Sequence, residues 1–598
     1  MRTTLSLFMA LCLTFSPNIT SQAQHLARAV LSDNGSRYLS ERFPNAHSLP
    51  HDVQQFISSL PSSWDETRLL SGSAVTARRS GKTWYIAGIN DSSEERTFPL
   101  DLSFLGGQHG DIVYFGERGE KAFFVSLQEN YPTQMKCRPN GGFVLVIHPV
   151  GNPQSMNMPL FQTKYTADPS PLVVGDTLFL FTSHDASPED IPDPNERSSA
   201  GFFMYDWLLW STTDMVNWTE HGAVASLKDF PWRSRDNGAW AIQTVERGGK
   251  YYLYAPLHGH GIGVLVSDSP YGPFEDPLGK PLVWQREHWN DIDPSVFTDD
   301  DGQAYMYWGN PHCYYARLND DMISLKDSIV QLPHIPNYQE GPWFYKRAGH
   351  YYLAFATTCC PEALGYAMSE SPTGPWEWKN YIMTPTQRDR GNHPGICDYK
   401  GHSYIFGQDY DLMHLDTYIH HERRTVSASE ITYNADGTIR EIPYWLNQKP
   451  LQQLEWLNPY KRVEAETMAW GRGLKTAKMG IPNTGVVKDM PASTGRRNMY
   501  VFDIDDGEYI RLRGVDFGKG ARRFSINAAG TGNLEIELHI DGTDGPIIGK
   551  LKIASTGSAD NYKSFTTKVK KASGVHDLYL CFGKTSGDVR LDYWQFKQ

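Results

Sequence analysis

Asp291-Ile292-Asp293-Pro294-Ser295 is followed by the run Ala304–Trp308, and the same arrangement occurs twice more. Thr166-Ala167-Asp168-Pro169-Ser170 precedes Leu178–Phe181, and Gln339-Glu340-Gly341-Pro342-Trp343 precedes Tyr351–Phe355. Each run is rich in aromatic and β-branched residues, so each acid is expected at the mouth of a strand. Acids recurring at the start of successive sheets suggest a radial fold with one central site. Cleavage of a glycosidic bond with inversion needs one carboxylate as base and one carboxylic acid as proton donor. A third carboxylate can set the acid's pKa and orientation.

The spacing extends this pattern. Asp168, Trp240, Asp293, Glu340 and His393 each stand just before a strand-like run, at steps of 72, 53, 47 and 53 residues. A period of about 50 residues fits a four-stranded propeller blade. Gly249-Lys250-Tyr251-Tyr252, Gly302-Gln303-Ala304-Tyr305, Gly349-His350-Tyr351-Tyr352 and Gly401-His402-Ser403-Tyr404 read as tight turns entering strands. Ser267-Asp268-Ser269-Pro270-Tyr271-Gly272-Pro273 recurs as Ser369-Glu370-Ser371-Pro372-Thr373-Gly374-Pro375. The expectation is all-β: a five-bladed β-propeller over 158–455, flanked by β-sandwiches over 24–150 and 461–598. The first sandwich has a short helical lead-in that includes Asp52–Leu60, and Asn152–Met158 reads as a linker.

Bulk properties exclude some classes. A net charge of −12 over 598 residues argues against nucleic acid. Aromatics make up 13% of the chain, with 17 Trp and 32 Tyr, as suits sugar stacking or simply a large strand-rich core. Met1-Arg2, the apolar stretch Leu5 to Phe15 and Ser21-Gln22-Ala23 read as a signal peptide over 1–23, so the protein is expected to be secreted or periplasmic. No later segment is apolar over ~18 residues, so no membrane span is expected. Cys137, Cys313, Cys359, Cys360, Cys397 and Cys581 are too scattered for a disulfide framework; the adjacent Cys359 and Cys360 are read as thiols rather than a strained disulfide. No Cys or His spacing suggests zinc.

The central region resembles glycoside hydrolase family 43. The match is carried by Ala167-Asp168-Pro169-Ser170, Ala239-Trp240-Ala241, Ile292-Asp293-Pro294-Ser295-Val296, Tyr305-Met306-Tyr307-Trp308-Gly309, Glu340-Gly341-Pro342 and Gly391-Asn392-His393. The resemblance implies a five-bladed propeller and inverting hydrolysis of arabinofuranosides or β-xylosides. It implies Asp168 as general base, Glu340 as general acid and Asp293 as the carboxylate that raises the acid's pKa, with Pro342 and Trp343 adding desolvation. It implies an axial His393 beside an ordered water or a calcium ion. Arg423 or Arg424 matches an arginine that contacts substrate near the acid. Trp240, Trp308 and Phe181 are candidates for the sugar platform, or else core. Asp291 is read as solvated, and His258-Gly259-His260 as loop.

The C-terminal region resembles carbohydrate-binding module family 6, through Val463-Glu464-Ala465-Glu466, Asp505-Asp506-Gly507-Glu508-Tyr509-Ile510 and Leu591-Asp592-Tyr593-Trp594. That resemblance implies a structural calcium on Glu464, Glu466 and Asp592. Arg590 stands where the family often has a ligand-binding Asn, and Tyr500, Phe502 or Tyr562 are left to stack on sugar. The N-terminal region looks like the C-terminal part of glycoside hydrolase family 97, through Ser63-Trp64-Asp65-Glu66-Thr67-Arg68, Ala77-Arg78-Arg79 and Trp84-Tyr85-Ile86-Ala87-Gly88.

These readings give an exported exo-glycosidase without an organic cofactor, acting on plant polysaccharide such as arabinoxylan, arabinan or xylo-oligosaccharides. Arabinofuranose removal is the first reading. A β-xylosidase or β-galactosidase of the same fold is the second, and a non-catalytic carbohydrate-binding propeller the rival. The base and acid carboxyls are expected ~6.5–9.5 Å apart.

Overall fold

The structure is a computed structural model. It describes every residue except 1–17, 45–55, 59, 71–73, 106–108, 116–132, 151–152, 188–189, 191–201, 234–236, 287–290, 359–361, 384–391, 413–422, 472 and 482–484. The apolar stretch of the expected signal peptide, Cys359 and Cys360 lie outside the described residues. Strands dominate, and the helices are few and short. No helix among the described residues is long and apolar enough to cross a membrane.

The chain divides into two compact units, with a boundary between Asn152 and Pro153. The first contains a five-stranded antiparallel sheet in the order Glu66–Leu70, Val75–Ser80, Thr83–Asn90, Gly141–Val150, His109–Phe115. Tyr85, Ala87, Val144 and Val146 point to one face of that sheet, where they pack on Leu26, Ala27 and Val30 of the helix Asn18–Leu31. Ala77, Trp84, Ile86, Phe143 and Leu145 point to the other face, beneath Phe98 and Cys137 of the ribbon Arg96–Pro99/Gln134–Cys137. This corrects the expected sandwich: helix covers one face of the sheet, because the Ala- and Leu-bearing stripe of Asn18–Leu31 lies flat on β-branched and aromatic side chains.

The second unit contains five antiparallel sheets in chain order. Their first strands are Tyr165–Val174, Gln243–Arg247, Ser295–Thr298, Tyr338–Arg347 and Gly395–Tyr399. Each sheet is a meander, as alternating strands joined by tight glycine turns require. Side chains latch each sheet to the next. Ser170 Oγ accepts from the Thr244 amide at 3.0 Å. The Gln243 side-chain carbonyl accepts from the Val296 amide. Ser295 Oγ accepts from the Phe344 amide at 2.9 Å, and Trp343 Nε1 donates to the Ile396 carbonyl at 3.0 Å. The fifth sheet returns to the first. Gln408 Oε1 accepts from the Asp168 amide at 2.6 Å, and Thr166 N donates to the Arg424 carbonyl at 2.9 Å. Gly395 allows this return, since a Cβ there would stand 2.2 Å from the Pro169 carbonyl oxygen.

Residues 463–598 form two facing sheets around one core that includes Ile510, Leu512, Phe524, Leu580 and Trp594. This part is joined to the first of the five sheets by the short strand Thr467–Met468, which pairs with Trp218–Ser226. The expected linker 152–158 is not free chain. Pro153–Met156 is a helical turn, and Asn157 and Met158 are buried.

Candidate active site

Asp168 and Glu340 are not at strand mouths. Each lies inside its strand at a break in register, between Ala167 and Ser170 and between Glu340 and Trp343. A bulge of this kind re-aims a side chain. Asp168 and Asp293 also hold left-handed backbones, with φ of 51° and 57°, each immediately before proline. Gly341, before Pro342, takes the same turn at φ 59°. A side chain at 341 would in addition strike the His393 ring, at 2.9 Å. The non-glycine residues in this conformation store roughly 1–3 kcal/mol each, sustained only by the surrounding structure.

These turns converge on one pocket. Asp168, Asp293 and His393 line it, and Pro169, Pro294, Pro342 and Pro394 supply one proline from each of four sheets. Ile242 and Trp343 complete its apolar wall. His393 stands between the acids. Its Nδ1 is 3.3 Å from Asp168, and its Nε2 is 3.6 Å from Glu340 and 3.9 Å from Asp293. Asp293 also accepts from the Gly341 amide at 3.0 Å, and Glu340 accepts from the Asn310 side chain.

Proton distribution differs from expectation. Burial would lower His393, but the charges of Asp293 and Asp168 and the contact with Glu340 outweigh it and raise the imidazole to about 10. Burial raises Asp293 to about 7; the His393 charge offsets part of this, while Glu340 and Asp168 add to it. Burial would raise Glu340 too, yet the hydrogen bond and charge of His393, with hydrogen bonds from Glu362 and Asn310, hold it below the usual range. These shifts favour the protonated forms of His393 and Asp293 and the ionised form of Glu340. Asp293, Glu340 and His393 do bring ligand atoms within 4.8 Å of one another, the one such trio among the described residues. These three side chains are the ones that would hold the expected cation beside His393, the imidazole releasing its proton on binding.

The arginine pair separates. Arg424 is buried and forks onto Asp185, with Nε and Nη2 each at 2.9 Å, while Nη1 reaches Asp168 at 3.2 Å. It therefore serves the Asp168 side of the pocket rather than the Glu340 side. Arg423 is buried with Nε on the Ala186 carbonyl. Trp308 and Phe181 are fully buried in separate cores, which removes both from the sugar platform. Trp308 Nε1 donates to Asp291 at 3.2 Å, so Asp291 is a buried acceptor rather than a solvated acid. Trp240 is half-buried and stacks on His258 with ring centres 4.0 Å apart, immediately before the pocket residues Ala241 and Ile242. Asp185, Asn310, Glu362 and Gln408 were not picked out by sequence reasoning, and His258 was read only as loop. None stands in a repeated stretch, so no local signal marked them.

In the C-terminal part, the expected calcium trio is not gathered. Arg462 is bidentate on Glu464 and also reaches Asp592 at 3.3 Å; Asp592 is held further by Asn498 and Asn527. Arg462 thus supplies positive charge there, while the buried Glu466 feels the charges of Glu464 and Asp592 without a bond to Arg462 among those described. The Arg590 guanidinium lies over the Tyr500 ring at 4.8 Å and covers a face that a sugar would need.

Comparison with known proteins adds to this geometry. Residues 157–439 match the family model "Glycosyl hydrolases family 43". Arabinoxylan arabinofuranohydrolase of Bacillus subtilis (strain 168) is 30% identical over 498 residues, covering 74% of this chain and 92% of that protein. The chain belongs to glycosyl hydrolase family 43. As a member of that family it is a glycosidase. Arabinoxylan arabinofuranohydrolase of Paenibacillus polymyxa is 31% identical over 485 residues, 73% of this chain and 74% of that protein. The crystal structure of the Bacillus subtilis family 43 arabinoxylan arabinofuranohydrolase with cellotetraose superposes with a TM-score of 0.64 at 29% identity, covering 75% of this chain and 99% of that one. Outside the family 43 region, residues 464–598 match "Carbohydrate binding module (family 6)" and 63–148 match "Glycosyl-hydrolase 97 C-terminal, oligomerisation".

Proposed function

We propose that this glycosidase is exo-acting and inverting, and removes α-L-arabinofuranosyl residues from arabinoxylan or a related plant polysaccharide. The observation that carries the proposal is the placement of Asp168 and Glu340 at opposite nitrogens of one imidazole, beside one pocket. Two carboxylates contacting the two ends of a single ring lie within about 9 Å of each other, compatible with the ~6.5–9.5 Å that leaves room for a water in an inverting enzyme. The names of the Bacillus and Paenibacillus relatives support the sugar. A β-xyloside is the second reading, since a Bacteroides ovatus relative, 30% identical over 324 residues, is a xylosidase/arabinosidase. The five latched sheets are read as blades of a five-bladed propeller, with the pocket at its axis.

In this reading Asp168, held by Arg424 and the Gln408 side chain, takes a proton from the attacking water. As the water oxygen bonds to the anomeric carbon, the bond to the leaving oxygen breaks and Glu340 protonates that oxygen. A sugar seated over Glu340 deepens its burial, and desolvation of the charged form raises the acid toward the protonated state that the step requires. Asp293 fixes the Gly341 amide and the imidazole. Trp343, and Trp240 at the edge, are the apolar surfaces left for a sugar ring. Export to the periplasm or medium is part of the proposal; it rests on Met1–Ala23 and is tested by N-terminal sequencing, with Gln24 expected first.

Release of 4-nitrophenol from aryl α-L-arabinofuranoside and β-xyloside tests the activity. Asp168→Ala and Glu340→Ala should each lower kcat by about 10²–10⁴-fold. A wild type that cleaves neither glycoside, and releases nothing from arabinoxylan, ends the proposal. Proton NMR of the fresh product should show the inverted anomer first.

A further inference from the structure

Tryptophan is a deeply buried residue on average, yet 47% of Trp284 meets solvent. Its backbone is held on both sides. The Ile262 amide donates to the Val283 carbonyl at 2.8 Å, and the Gln285 amide donates to the Asp291 carboxylate, two residues before Asp293. Gly261 makes room for this segment, since a Cβ there would stand 2.1 Å from the Val283 carbonyl oxygen and 2.9 Å from the Trp284 Cβ. The ring is backed as well. His260 meets it tilted at 42° with ring centres 6.1 Å apart, and the Arg286 guanidinium lies over it at 5.6 Å. With both neighbours in place nearly half of Trp284 remains exposed, so they support the ring without covering it.

This ring is continuous with the pocket. His258 and His260 lie in the loop between the strands Lys250–Pro256 and Ile262–Ser267 of the second sheet. His258 stacks on Trp240 with ring centres 4.0 Å apart, and its amide donates to the Gly238 carbonyl at 3.3 Å. That sets the loop beside the segment leading to Ala241 and Ile242 of the pocket wall. Three adjoining segments at one end of the sheet thus carry rings outward from the pocket: Trp240 and His258, then His260, then Trp284. A single exposed apolar residue needs no explanation, whereas a contiguous ring surface leading out of a pocket marks a binding surface. A pocket that takes one terminal sugar leaves the rest of a polysaccharide outside it. Main-chain sugars present apolar C–H faces ringed by hydroxyls. An exposed indole offers a flat apolar partner for the face, and the adjoining Arg286 offers donors for the hydroxyls.

We propose that Trp284, backed by His260 and Arg286, is a platform for the polysaccharide main chain that bears the cleaved residue. The platform rests on the reading of the protein as a glycosidase of arabinoxylan or a related polymer. It adds that part of the hold on the polymer lies outside the pocket, on the second sheet. Trp284 is then a binding residue that separates polymeric from small substrates, because an aryl glycoside is too short to reach from the pocket to it.

The test measures kcat and KM of the full-length protein on arabinoxylan and on 4-nitrophenyl α-L-arabinofuranoside. Trp284→Ala should raise the ratio of the arabinoxylan KM to the aryl-glycoside KM about tenfold, the order expected for the loss of one stacked ring. The effect should fall on KM rather than kcat, as removal of uniform binding does. Trp284→Phe, which keeps a flat ring, should recover most of the loss. Trp456→Ala, at an exposed tryptophan beside Gly514 of the C-terminal part, should leave the ratio as in wild type. Equal effects of Trp284→Ala on both substrates, or the same shift in Trp456→Ala, overturn the platform and leave the glycosidase reading standing. A wild type that cleaves the aryl glycoside but not the polymer overturns it too. A wild type that cleaves neither ends that reading and the platform with it. Should Trp284→Ala not fold, Trp284→Leu, apolar but without a flat ring, decides by the same ratio.

Discussion

His393 concentrates the electrostatics of the pocket in one side chain. Its folded pKa, about 10, stands above its ordinary 6.5, because the carboxylates around it favour its charge. Between those values the folded protein holds a proton that the unfolded chain has released, so stability falls as pH rises. The contribution is complete below 6.5 and is lost as pH climbs toward 10. Asp293, raised from 3.8 to about 7, acts in the same direction over a lower window. Denaturant unfolding from pH 6 to 10 should show wild type losing stability with pH, and His393→Asn should flatten the upper part of the curve. Asp185 acts differently, by orienting Arg424 against Asp168. Asp185→Asn should lower kcat by about 10²-fold, the order expected when the geometry of a reacting group slips, with KM little changed. Unaltered kcat would remove Asp185 from the machinery.

At the scale of elements, the sheets are held by single side-chain latches on their first strands. Ser295→Ala leaves the Phe344 amide without its acceptor and should cost about 1–3 kcal/mol. The aromatics divide by what their strand faces. Trp308 sits in the core between the second and third sheets, and Phe181 between the first and second. Trp308→Ala should therefore lose about 3–5 kcal/mol of stability. Trp343→Ala, on the pocket wall and latched to the Ile396 carbonyl, should lower stability and also raise KM for the aryl glycoside. Melting curves and kinetics on the same preparations separate the two effects, and a raised KM in a fully stable Trp308→Ala would contradict the assignment.

Across the second unit, the C-terminal sandwich leans on the first sheet near the pocket. Val486 packs with Ala186 and Tyr205, and the Val487 amide donates to Asp206 at 2.6 Å. The other oxygen of Asp206 meets His184 at 2.6 Å, next in the chain to Asp185. Residues 153–598 should consequently melt together in one calorimetric transition. Val486→Asp, which buries a charge without a partner, should lower that transition and the activity with it. Two well-separated transitions in wild type would show that the contact contributes little.

The order of the strands and the residue types of the pocket were legible because they are local. A turn glycine and a run of aromatics recur with each sheet, an acid just before a proline turn recurs with three of the five, and a repeating unit writes itself into the chain at its own period. Burial of Trp308 and Phe181 was not legible, since alternation shows that a side chain leaves the strand but not whether it meets a cavity or the neighbouring sheet. The low pKa of Glu340 was hidden for a related reason. It depends on a histidine 53 residues away brought to 3.6 Å, and charge–charge energy follows distance in space, not along the chain. Arg424 facing Asp168 and Arg462 spanning Glu464 and Asp592 are likewise products of how elements dock. Sequence alone determined which chemical groups this protein owns and in what order its strands present them; only the tertiary structure decided which groups meet, because the meeting is made by packing between elements that carry no record of one another.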